Sequence, residues 1–218
     1  MGRLLALSDG VFAFSLTFLV VGLILPRPGS SGLPSLSGYL GALEPQFVAY
    51  LLSFLIIGSW WMSHHRIFSP IVRYDTSLVR LNNLFLLVIS VTPFLVGVLF
   101  DYGPGSAGVS LASSRLAVIL YSSAQAVGGG ILLAIWRHST RAHRLVVADL
   151  PADWIRSTER RQLSVVAIFL AAIPVVFVYP LAAELVWILA IVGVGRLAYR
   201  TRPPPPPDPN VGERPALD

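Results

Sequence analysis

The 218-residue chain is 55% apolar and 12% charged, with 16 basic against 11 acidic residues and a formal net charge of +5. Soluble domains carry about 25% charged residues, so this composition excludes an ordinary water-soluble enzyme. Every basic residue is Arg and Cys is absent, which excludes a disulfide scaffold, a thiolate zinc site and a Cys nucleophile.

The apolar residues fall into six runs, at about 4–26, 46–64, 78–100, 114–136, 162–179 and 181–199. Each is near the ~20 residues that a helix needs to cross the hydrocarbon core. A helix also satisfies its own backbone in lipid, and the alternation of a membrane β-strand is missing. The expected fold class is therefore an all-α membrane protein with six transmembrane helices. Residues 1–200 form the membrane domain, and 201–218 form a disordered cytoplasmic tail with five consecutive prolines.

The first run reads as a retained helix rather than a signal peptide, because no small-residue cleavage site follows it. It carries Arg3, Ser8 and Asp9 near its start. Ser8-Asp9 either caps the helix or reaches a partner on another helix. Phe14, Thr17, Phe18 and Val21 then make one helical stripe, a pattern shared by lipid-facing, packed and pore-lining faces. Residues 27–43, rich in Gly, Pro and Ser, read as an external loop.

The second run ends in Trp60-Trp61-Met62-Ser63-His64-His65-Arg66. Paired aromatics suit an interfacial belt. Adjacent His residues point about 100° apart on a helix, so they make a poor metal site. With ordinary helix lengths, this end lies level with Asp9, and a His64–Asp9 bond would satisfy both buried groups. The third run opens with Arg80-Leu81-Asn82-Asn83, where one Asn can bond across helices, and its Pro93 predicts a kink. Gly128-Gly129-Gly130 in the fourth run fits close helix packing. Residues 137–161 form a basic loop, with an interfacial helix expected near Trp154. Glu184 opens the sixth run at the water boundary.

With the runs as spans, 14 Arg residues fall on one side, and Arg27 and Arg115 on the other. The positive-inside rule places both termini in the cytoplasm, and it explains the basic charge without nucleic acid. No residue set suits catalysis, no phosphate-binding loop or TVGYG-type filter is present, and no cofactor is expected.

Arg3-xxx-Leu7-Ser8-Asp9-Gly10-Val11-Phe12-Ala13-Phe14-Ser15-Leu16-Thr17 resembles the signature that opens the first helix of prokaryotic relatives of the lysosomal potassium channel, transmembrane protein 175. The resemblance continues through Ser53-Phe54, Trp61-xx-His64-His65-Arg66, Leu81-Asn82 and Pro93-Phe94. It implies a homotetramer in a bacterial inner membrane, with the first helix of each subunit lining a potassium-permeable pore. It places an apolar constriction at Phe14, with Phe18 and Val21 outward of it, and gives Thr17 a part in potassium preference. It makes Arg3, Ser8, Asp9, Trp61, His64 and Asn82 a structural polar network. Two positions depart from the family pattern: Leu7 replaces a Phe, and Phe14 replaces the usual Ile. The rival reading is a proton pathway or secondary transporter that uses Asp9 and His64, since His titrates near neutral pH.

Overall fold

The computed structural model describes residues 2–22, 36–104, 106, 108–179, 182–183 and 185–187, with side chains over 36–52 only at 37, 38, 47, 50 and 51. Five long helices account for most of them. They are α1 (Gly2–Phe18, continued by a 3-10 turn, Leu19–Gly22), α2 (Leu36–Phe68), α3 (Thr76–Tyr102), α4 (Leu111–Thr140) and α5 (Ala152–Val178). Residues 182–183 and 185–187 are helical, and Trp187 packs against Tyr121 with ring centroids 4.8 Å apart. The remainder of the sixth run and the proline-rich tail lie outside the described residues.

Among the described residues, four segments are long and apolar enough to cross a membrane: Gly2–Val21, Thr76–Tyr102, Leu111–His143 and Ala152–Val178. This is an all-helical membrane protein. Two boundaries differ from the sequence reading. Residues 36–43, expected in an external loop, belong to α2. The expected interfacial helix near Trp154 is the first turns of α5, which starts at Ala152 and runs unbroken into its apolar part. The basic residues hid this start, because a hydropathy run ends where charge begins although the helical hydrogen bonding does not.

The apolar window of α4 is 56% buried within the chain, against 22% for α1, α3 and α5, so α4 is the hub. Its glycines explain how neighbours come so close. A Cβ on Gly129 would stand 3.0 Å from Val166 of α5 and 3.4 Å from the Trp60 ring of α2. One on Gly128 would stand 3.3 Å from Val88 of α3. Small residues at such crossings let backbones approach, which is the main packing device available in lipid.

α1 and α3 run parallel. Ser8 meets Asn82 and Ser15 meets Ile89, both 74 residues apart. The second contact has a clear cause. Pro93 lacks the N–H that would bond the Ile89 carbonyl one turn back. The Ser15 hydroxyl donates to that carbonyl at 3.4 Å, so a group freed by proline in one helix is served by another. α3 stays continuous through Pro93.

The helix starts and ends sort the arginines. The start of α1, the end of α2, the start of α3, the end of α4 and the start of α5 share one end of the bundle. Every described Arg lies there except Arg115, which donates to the Phe177 carbonyl at the other end. The connections at this basic end are laced together. Val72 N–H donates to Leu145 O, Val147 N–H donates to Pro70 O, and Ile71 bridges Val146.

Asp75 completes the lacing. Its carboxylate caps α3 by accepting from Leu78 N–H at 2.8 Å, and it meets His138 of α4 at 2.9 Å and Arg144 at 3.5 Å. The Leu78 N–H, with help from His138 and Arg144, holds this carboxyl below the ordinary carboxylate range. A depressed acid adds stability above its unfolded-state value and loses it as pH falls through the folded-state value. Asp75→Ala should therefore cost about 1 kcal/mol at neutral pH, the usual worth of an N-cap. The difference from the unsubstituted protein should shrink below about pH 4, where carboxylates protonate. Thermal unfolding of both proteins across that range checks it.

Candidate functional site

α1 has two unlike faces. Ser8, Phe12, Ser15 and Leu19 are buried against the bundle, at spacings of 4, 3 and 4. The opposite face carries Leu7, Phe14, Phe18 and Val21, which are exposed in the single chain, Phe14 by 65% and Val21 by 63%. Thr17 lies on the same stripe. Its hydroxyl bonds the Ala13 and Phe14 carbonyls of its own helix, at 3.0 and 2.9 Å. The Phe14 and Phe18 rings stack one turn apart, with centroids 5.5 Å apart. The four residues of the expected constriction therefore share one face that no other part of the described chain covers.

The buried face is anchored by a directed hydrogen-bond chain across three helices. His64 Nε2 of α2 meets Asn82 Oδ1 of α3 at 2.9 Å. Asn82 Nδ2–H donates to Ser8 Oγ of α1 at 3.0 Å, and the Ser8 hydroxyl donates to Leu4 O at 3.0 Å. The amide oxygen can only accept, so this chain needs the proton on His64 Nε2. All three side chains are almost wholly buried. Phe12, Phe68 and Phe85 enclose the imidazole, with Phe68 stacked on it at 4.2 Å. A buried polar group is tolerated when its partners are in place, and here three helices supply them.

Asp9 sits apart from this chain. It is exposed, and it accepts from Trp61 Nε1 at 3.0 Å instead of from His64. The reason is rotational. Asp9 follows Ser8 by one residue, about 100° around α1, so only one of the two can face the α2–α3 seam. Trp61 follows Trp60 in the same way, and the two indoles part. Trp60 is buried and donates to Gln125 Oε1 of α4 at 2.6 Å, while Trp61 stays on the outside and stacks on His65 at 5.8 Å. Arg3 is exposed and makes no hydrogen bond or ion pair among the described residues, so it stands outside the network expected for it. Asn82 is buried and Asn83 exposed, which settles which of the pair turns inward.

The Trp60–Gln125 pair went unread in the sequence. The available signal was a lone amide within the apolar run of α4, since such a group requires a partner in lipid.

Comparison with known proteins decides the family. The family model described as endosomal/lysosomal potassium channel TMEM175 matches residues 3–93, the stretch that holds Ser8, Asp9, Trp61, His64 and Asn82. A potassium channel of Streptomyces collinus is 34% identical over 160 residues, covering 73% of this chain and 74% of that one.

This chain belongs to the TMEM175 family.

The family is one of ion channels, not enzymes. The crystal structure of a lysosomal potassium-selective channel TMEM175 homologue from Chamaesiphon minutus is similar to this fold, with a TM-score of 0.73 at 25% identity. That likeness covers 91% of this chain and 96% of the other. A mouse protein named endosomal/lysosomal proton channel TMEM175 is 35% identical over 99 residues, 42% of this chain but 19% of its own length. Names within the family therefore cover both potassium and proton conduction.

Proposed function

We propose that this TMEM175 chain forms a potassium-permeable channel of the bacterial inner membrane. Four six-helix subunits assemble with both termini cytoplasmic, and α1 of each lines a central pore. The observation that carries this reading is the two-faced α1. One face is locked by Ser8, Phe12 and Ser15, and the other presents Phe14, Thr17, Phe18 and Val21, all exposed among the described residues. Four copies of that face around an axis make an apolar ring at Phe14, and a narrow apolar ring blocks ions by excluding water. The aromatic faces also offer a partial negative surface to a cation once the ring is wet. Thr17 keeps its hydroxyl proton on its own helix, which leaves its oxygen lone pairs for a passing ion.

The cytoplasmic placing of the termini rests on the arginine asymmetry between the two ends of the bundle. The names of the bacterial relatives support potassium as the permeant ion. The His64–Asn82–Ser8 chain holds the pore helix on α2 and α3, a structural and gating-related role.

A reversal potential measured on purified, reconstituted protein under opposed potassium and sodium gradients tests the reading. The expected result is a potential displaced towards that of potassium. A current that follows only the proton gradient would transfer the pore to the rival class, in line with the naming of the mouse relative.

A further inference from the structure

We propose that Arg3 sets the conductance of the channel, with four copies forming a ring of positive charge at the cytoplasmic mouth that repels entering potassium ions. The proposal rests on the reading of α1 as the pore helix. Arg3, Leu7, Gly10 and Phe14 follow at spacings of 4, 3 and 4, so they carry the stripe of Phe14 on towards the basic end of the bundle. All four are exposed, whereas Ser8, Phe12 and Ser15 are buried. The bonds of Ser8 to Asn82 and of Ser15 to the Ile89 carbonyl fix this rotation of α1. The helix rise puts Arg3 about 16 Å from Phe14 along the axis.

Nothing among the described residues neutralises this cation. Arg3 makes no ion pair or hydrogen bond there. Asp9 is turned about 120° from Arg3 around the helix, and its carboxylate accepts from Trp61 Nε1. Arg3 also breaks a local rule. It stands in the first turn of α1, at the positive end of the helix dipole, and that turn contains no acid. The two other long helices that start at this end are compensated. Asp75 caps α3, and Asp153 lies in the first turn of α5. Departures from local rules concentrate at functional positions.

A ring of like charge lowers the local concentration of potassium at the mouth that it surrounds. Ions arriving from the cytoplasm meet it before they reach Phe14, so outward current is smaller than inward current. Salt weakens the effect, because the screening length falls from about 10 Å at 0.1 M to about 3 Å at 1 M. Arg3 thus controls the supply of ions, and Phe14 the barrier that they cross.

Unitary currents through the purified full chain in planar bilayers test this, in symmetrical potassium chloride of low and high concentration. Both the unsubstituted protein and the Phe14→Ala background are recorded. Arg3→Gln should raise the smaller limb of the current–voltage curve about threefold near 0.1 M and remove the rectification, and the gain should vanish near 1 M. Arg3→Lys keeps the charge and should behave like the unsubstituted protein. Arg80→Gln is the control. Arg80 is exposed at the same end, but it lies about 200° around α3 from Asn82, the residue that bonds α1, and its loss should change nothing. If Arg3→Gln fails to assemble, the unsubstituted channel decides: rectification that fades with salt supports the proposal, and its absence near 0.1 M overturns it. Currents that respond to Phe14→Ala but not to Arg3→Gln overturn the proposal and leave the pore reading in place. No potassium current in any variant overturns both. Equal changes in Arg3→Gln and Arg3→Lys would tie the effect to the shape of the side chain, not its charge, and also overturn the proposal.

Discussion

Phe14→Ala should raise basal potassium flux through reconstituted protein at least about tenfold, the change that follows from lowering a barrier by about 1.4 kcal/mol. The argument runs from the packing of α1. Phe14 stacks on its helix neighbour Phe18 and is 65% exposed, so its ring belongs to no buried core among the described residues. Its removal should leave the subunit folded while widening the proposed apolar ring. Exposure alone does not mark a pore residue, because Leu87 on α3 is 59% exposed as well. Leu87→Ala is therefore the control, and its flux should match that of the unsubstituted protein. Equal flux in all three proteins, each shown to be folded, would remove Phe14 from the permeation path.

The second large effect belongs to Asn82. Asn82→Leu keeps the shape of the side chain but deletes both of its bonds. Ser8 keeps its bond to Leu4 O, while His64 Nε2 loses Asn82 Oδ1 inside a cage of Phe12, Phe68 and Phe85. A buried donor left unsatisfied costs about 1–3 kcal/mol, so stability should fall by about 2 kcal/mol. The diagnostic is the pairing with His64→Phe, which removes the orphaned donor and retains an aromatic ring. The double variant should be less damaged than the sum of the two single variants by about 1 kcal/mol, since residues in one network are coupled. Additive losses in denaturation experiments would mean that the two side chains act independently.

Some of this was legible from residue order and some was not. Helix type followed from run length and from the demand that backbone groups be satisfied in lipid. The α1 stripe of Phe14, Thr17, Phe18 and Val21 followed from helical spacing, and it is one exposed face in the fold. The glycines of α4 read as packing residues, and Gly128 and Gly129 do meet their neighbours. Partner choice was not legible in the same way. Spacing put Asp9 and His64 at one level, yet the bond joins His64 to Asn82, and Asp9 turns to Trp61. Two adjacent residues on a helix differ by about 100°, and no pattern within α1 says which of them faces α3. The same gap hid Trp60–Gln125, Arg161–Ser63 and the service of the Ile89 carbonyl by Ser15.

The sequence by itself determined the membrane class, the helical runs, the spacing that puts Phe14, Thr17, Phe18 and Val21 on one stripe of α1, and the grouping of the arginines. These depend on local composition and period, and each can be read within a window of some twenty residues. The tertiary structure decided that Asn82 and not Asn83 is buried, that the α1 stripe is exposed, that Asp9 pairs with Trp61, that α5 begins at Ala152, and that Arg161 reaches Ser63 across the α2–α5 seam. Each of these depends on the rotation and depth of one helix against another. Those are set by packing around small residues such as Gly129 and by hydrogen bonds between residues as far as 98 positions apart.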